Sequence, residues 1–236
     1  VSQLEVVYLD EHLAVINKPS GLLVHRSRIA SGAREFAMQM LRNQLGCHVY
    51  PVHRLDRPTS GLLIFGLNSD VARTLTEQLT AREVSKTYHA VVRGYVPENG
   101  TIDYALKEEL DKLADKDADP DKDKQPAVTH YQCLKQIELP YKVSKKHDTT
   151  RYSLVQMQPE TGRKHQLRRH MAHIRHPIVG DTNHGDGRHN NFFREHFNCH
   201  RLLLAATGLS FKHPVSGESI NLEIPLPDEF HQPFLK

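Results

Sequence analysis

The chain has 236 residues, 25% of them charged, 38% hydrophobic and 7% aromatic, a balance that excludes the collagenous, low-complexity and disordered classes and predicts a globular fold. At this length folding hides roughly 70–75% of the chain's surface, so disulfides and structural metals are not required, and three widely spaced cysteines without a CxxC pair, Cys47, Cys133 and Cys199, point to a reducing compartment. No basic and apolar leader opens the sequence and no apolar run approaches membrane-spanning length, so a soluble, cytoplasmic protein is expected.

In chain order, 4–9 and 12–17 read as a hairpin about Asp10-Glu11, ended by Lys18-Pro19-Ser20-Gly21. Residues 33–45 carry the spacing of a helix with one buried side. A loop containing HRLDRPTS precedes the short apolar run 61–67, a buried strand. A helix follows from Ser69, its expected N-cap, with Val71, Leu75 and Leu79 on one face. KTYHAVVRG at 86–94 is a strand carrying Tyr88. VTHYQCL and RYSLVQMQ are further strands. HQLRRHMAHIR is a helix with Leu167, Met171 and Ile174 aligned, and 213–225 is a hairpin around Ser216-Gly217. Residues 180–200, rich in Gly, Asn and His, are expected to form a long loop. Without repeats or a βαβ rhythm, the pattern favours an α+β fold with a mixed, mostly antiparallel sheet and flanking helices.

The net charge of +3 is unevenly spread. Residues 107–124 hold eight acids and five lysines and read as a charged surface insertion. Residues 151–188 hold seven Arg or Lys against three acids, with histidines between them, which suits a polyanionic partner.

The most informative string is His53-Arg54-Leu55-Asp56-Arg57-Pro58-Thr59-Ser60-Gly61. It sets one carboxylate among three cationic or potentially cationic side chains in a turn-prone loop. Opposite charges nearby favour the anion, and an ionised carboxylate serves as nucleophile or base. A loop salt bridge would leave the same local pattern.

The nonapeptide resembles the catalytic-aspartate motif of the RluA family of pseudouridine synthases, and the likeness covers nearly the whole chain: NKPSGLLVHR at 17–26, KTYHAVVRG, and TGRKHQLRRHMAHIRHPIVGD at 161–181. EELDKLADK, QPAVTHY and the block from His184 to Phe197 look like the branch that modifies uridine 65 of tRNA. The resemblance implies a single pseudouridine-synthase catalytic domain over 1–236 with a central basic cleft, no cofactor and no N-terminal S4-type RNA-binding domain. It implies a reaction that detaches uracil from ribose and rejoins it through carbon. Asp56 would act at the sugar, as nucleophile or by removing a sugar proton. Tyr88 would stack on the base, Arg168 would pair with the aspartate, and Leu167 would pack beneath the base. Arg54 would fill the gap left by a flipped nucleotide. His53, Arg57, Lys86, Arg163, Lys164 and His165 would contact phosphate or base. Arg169 stands where many members have an aliphatic residue.

Other readings use the same residues differently. A pseudouridine synthase of rRNA, or of another tRNA position, fits the same motifs. A metal-dependent RNA-binding protein would use His170, His173 and His176, or His196, Cys199 and His200, but no Cys/His signature is completed and no metal is expected. A glycoside hydrolase would need a partner acid, for which only Glu160 lies near a motif, and a non-catalytic tRNA-binding module would have no use for Asp56. The expected partner is tRNA, with no membrane, no obligate protein partner and a monomeric state.

Overall fold

A computed structural model describes residues 3–25, 35–109 and 123–235. The described residues fall into two compact units. One takes residues 3–25, 35–86, 109 and 206–224, the other 87–108, 123–205 and 225–235. Most of the charged insertion at 107–124, and the end of the first matched motif, fall outside the described residues.

In the first unit, β1 (Glu5–Leu9) and β2 (Leu13–Lys18) form the expected hairpin. The Asp10 carboxylate closes it by accepting the amides of His12 and Leu13. The same carboxylate accepts the Tyr8 hydroxyl and the His213 ring, so it also ties the hairpin to the turn after residue 212. Burial opposes its charge, but these bonds outweigh that and hold its pKa down at about 2. Helix α1 runs Ala37–Leu45 and ends at Gly46 in the left-handed region. After β3 (Tyr50–Pro51), β4 (Ser60–Gly66) pairs antiparallel with β2. Every β4 residue is buried, and burying each of its large side chains, Leu62 to Phe65, is worth about 1.5–3 kcal/mol.

Helix α2 (Ser69–Thr80) lays Val71 and Leu75 on this core. Its N-cap is Asn68, one residue earlier than expected, because the Asn68 side chain accepts the Val71 amide.

In the second unit, β5 (Ser85–Arg93), β8 (Thr150–Pro159), β7 (Val128–Leu139) and β6 (Asn99–Asp103) lie side by side in that order, all antiparallel. Helix α3 (Gln166–His173) packs Leu167 and Met171 on them.

The expected loop at 180–200 is largely helix: α4 spans Gly187–Phe197. Its sequence hides the fact, since Asn and His are weak helix formers. Tertiary contacts supply what propensity lacks. Asp186 caps α4 by accepting the Arg188 amide and is gripped by Arg93 of β5 at 2.6 Å, while Phe193 is buried among Tyr152, Val179 and Leu203.

Strand β9 (Leu204–Lys212) and β10 (Ser219–Glu223) complete the expected C-terminal hairpin in the first unit, where Ile220 and Leu222 join the Leu13–Phe211 core. Helix α5 (Asp228–His231) buries Phe230 in the second unit. No described helix is long and apolar enough to cross a membrane.

Candidate active site

Asp56 lies on the segment linking β3 to β4. Its carbonyl accepts the Thr59 amide at 2.9 Å, closing a turn. Leu55 is buried while Arg54 is exposed and Asp56 partly so. Alternation along an extended chain thus sends Arg54 and Asp56 to one side and anchors the residue between them. Asp56 is not sealed from solvent.

What fixes this turn is a residue the sequence reading did not single out. Lys18, at the end of β2, is fully buried, a rare state for lysine. Its ammonium donates to the carbonyls of Pro19, Leu22 and Arg57 at 2.8–3.2 Å. The Arg57 carbonyl also accepts the Gly21 amide at 2.8 Å, and Ser20 donates its hydroxyl to the Pro58 carbonyl at 2.6 Å. NKPSG is therefore a clasp for the main chain just past Asp56. The available signal was the Lys-Pro-Ser-Gly spelling, but a lysine in such a string reads as surface. The glycine that ends the nonapeptide has a matching reason: Gly61 has φ +118°, and a Cβ there would stand 2.1 Å from the Ala206 carbonyl oxygen.

The charge around Asp56 differs from expectation at His53. Burial, with the Lys86 charge, pushes the His53 imidazole down to about 3. The ring is neutral at neutral pH and accepts the Ile64 amide on Nε2, tying the loop to β4. Arg57 donates through Nε to the Gly21 carbonyl. Lys86, half-buried, has its pKa lowered by desolvation.

In the second unit, Tyr88 pairs across β5–β8 with Met157 and packs against the cluster that contains Leu167. Leu167 is a core residue, 6% exposed. Arg163, Lys164 and His165 enter α3, with Arg163 Nε bonded to the Pro126 carbonyl and His165 in a left-handed conformation at φ 54°. The carboxylate found on Arg168 within this unit is Asp181. Nε and Nη2 donate to its two oxygens at 2.8 Å each, and both side chains are almost wholly buried. Arg169 donates to the Lys107 carbonyl.

A polar chain holds α3 in place. Gln166 accepts from Thr161 and from the Arg163 amide, and donates to the Val128 carbonyl and to Thr129 Oγ1. Thr129 in turn bonds His170 Nδ1, whose Nε2 bonds the Tyr104 carbonyl. A carbonyl only accepts, so His170 carries its proton on Nε2, and burial keeps the ring neutral by lowering its pKa.

The histidines weighed as metal ligands have separate partners. His170 is in the chain just described, His173 stacks on Tyr104 at 3.6 Å, and His176 bonds the Arg93 carbonyl. Of the second set, His196 stacks on Phe192, Cys199 is buried, and His200 bonds Asn198. Glu160 is on the surface, bound to the His130 ring.

A family model described as RNA pseudouridylate synthase matches residues 12–173. The chain belongs to this family. Among its relatives, proteins named tRNA pseudouridine synthase C from Yersinia pestis and Vibrio parahaemolyticus are 58% and 53% identical. The alignments cover 93% and 99% of this chain, and 85% and 95% of theirs. A protein of the same name from Pectobacterium carotovorum is 57% identical over 94% of this chain, which spans 59% of its length. The solved structure of Human RNA Pseudouridylate Synthase Domain Containing 1 superposes with a TM-score of 0.71 at 26% identity, covering 94% of this chain and 83% of that one. Every site residue expected from the sequence, from His53 to Arg168, falls within the matched stretch of the family.

Proposed function

We propose that this chain isomerises uridine to pseudouridine in tRNA, at position 65, acting as a cytoplasmic monomer with Asp56 as the group that works at the sugar. The observation that carries the reading is the Asp56 turn: a partly exposed aspartate whose neighbouring main chain is clasped by a buried lysine, in a chain that belongs to the RNA pseudouridylate synthase family. The relatives named tRNA pseudouridine synthase C support tRNA as the substrate.

Breaking the bond between ribose and N1 of uracil leaves cationic character at the sugar. A carboxylate there stabilises it or bonds to it, as in retaining glycosidases. The base then turns and reattaches through C5, and the proton on C5 ends on nitrogen. Atoms and electrons balance without an added reagent.

Tyr88 offers a flat ring for the extruded base, and Arg168 a fixed cation for the carboxylate. Arg54 fills the vacated stack, offsetting part of an unstacking cost of a few kcal/mol. Arg163, Lys164 and His165 meet phosphate or base, so binding weakens as salt rises.

The decisive experiment combines Asp56→Asn with mapping of pseudouridine in tRNA. The variant should bind tRNA within about threefold of wild type and form no detectable product, losing at least about 10⁴ in rate. Product formed at the wild-type rate overturns the assignment of Asp56. Cells lacking the gene should lose pseudouridine at position 65 alone, and loss at another position would move the substrate site.

A further inference from the structure

We propose that Asp181 is the positioning residue of this site, presetting the Arg168 guanidinium and, through the turn that follows it, the His165 ring. The inference rests on the reading that Arg168 serves the uridine reaction. Asp181 lies eight residues beyond the stretch matched by the family model.

The geometry is a hub. One carboxylate takes the Arg168 guanidinium through two parallel bonds of 2.8 Å, the pairing that fixes a guanidinium in plane and rotation. Its Oδ1 also accepts the amides of Asn183 and His184, at 2.9 and 3.0 Å. His184 then bonds the His165 ring, Nε2 to Nδ1, at 3.1 Å. Two side chains expected to meet substrate, 13 and 16 residues upstream of Asp181, are thus referred to one buried anion.

That anion is itself held from behind. Asn190 of α4 donates to the Asp181 carbonyl and accepts the Gly180 amide. Gly180 has φ +84°, and a Cβ there would come within 2.1 Å of the Arg201 carbonyl oxygen. The turn therefore has one available path. Burial works against the Asp181 charge, yet Arg168 and the two amides keep its pKa below the ordinary carboxylate value. An arginine so held cannot swing to follow a substrate, so its orientation is set before tRNA arrives.

The test measures single-turnover rate at saturating tRNA, tRNA affinity by filter binding, and thermal melting for Asp181→Asn, Asp181→Glu and Arg168→Lys. Asn keeps the shape but not the charge, and Glu keeps the charge but displaces it. With a cooperative melt, Asp181→Asn should lose about a hundredfold in rate, the scale set by roughly 1 Å of misplacement. Its affinity for tRNA should stay within about threefold, a split that a general loss of structure would not give. If Asp181→Asn does not fold, Asp181→Glu decides, with at least about a tenfold loss in rate and unchanged affinity expected. A folded Asp181→Asn at the wild-type rate overturns the proposal; where that variant does not fold, a folded Asp181→Glu at the wild-type rate does so. Arg168→Lys separates the two failures. If it too runs at the wild-type rate, the role of Arg168 is wrong. If it is slow while the Asp181 variants are not, only the positioning role fails.

Discussion

The Asp56 turn and the Arg168–Asp181 pair hold their chemistry in opposite ways. At the turn, Lys18, Ser20 and Gly21 grip main-chain carbonyls on the far side of Asp56. At the pair, the grip is on the side chain itself, two charges almost wholly withdrawn from water. Clasped main chain lets a side chain change without loosening what carries it. A buried pair makes one residue both structure and tool, so removing either partner strands a charge.

The largest expected effect separates the two regions. Asp56→Asn should abolish activity and keep a cooperative melt, since Asn preserves the shape of the side chain and the main-chain clasp remains; loss of the cooperative melt would erase the contrast. Arg168→Met should lose stability as well as activity. It leaves Asp181 buried without its cation, at a cost of about 3–5 kcal/mol, visible as a lower denaturant midpoint. A midpoint equal to wild type would show that water reaches the pair.

Lys18→Met comes next. It withdraws an ammonium that donates to three carbonyls, for at least about 3 kcal/mol of stability, because stranded acceptors cost about 1–3 kcal/mol each where water cannot replace the donor. Its rate should fall with tRNA affinity unchanged, by a factor between those of the Asp181 and Asp56 variants. Loss of stability without loss of rate would mean that the clasp serves the fold alone.

The most gradual effect is on pH dependence. His53, held down to about 3, His189, held down to about 4 chiefly by burial, and His170, also lowered by burial, are neutral in the folded protein. Unfolded, they bind protons from about pH 6.5 downward, so the unfolded state carries more protons in this window and stability rises with pH. Their contribution is complete above pH 6.5 and shrinks as pH falls towards 4 and then 3. Asp10, with its pKa at about 2, adds a further loss below about pH 3.8. Chemical denaturation at pH 7.5, 5.5 and 4.5 should give successively lower midpoints, and a flat profile would contradict the neutral histidines.

Periodicity and turn chemistry made most elements legible: both hairpins, the β4 run, and the helices bearing Leu75 and Met171. The nonapeptide marked Asp56 because its residue types are local to one another. Among the parts that were not legible, three have clear physical reasons. Helix α4 was hidden because Asn and His are poor helix formers, and the burial of Phe193 and the Arg93–Asp186 bond arise only after folding. β9 opens with Leu204-Ala205-Ala206, which lacks the alternation that marks a half-buried strand. The burial of Lys18 was not legible, since nothing local says that a carbonyl 39 residues later will accept a hydrogen bond from it.

What the sequence determined by itself was the set of local structures and the family, because these depend on residues near one another and on their order. Tertiary structure alone decided which charges are buried and whom they face. Arg168 on α3 and Asp181 in the turn before α4 are 13 residues apart, and the desolvation that makes their pairing obligatory exists only when the chain has closed around them.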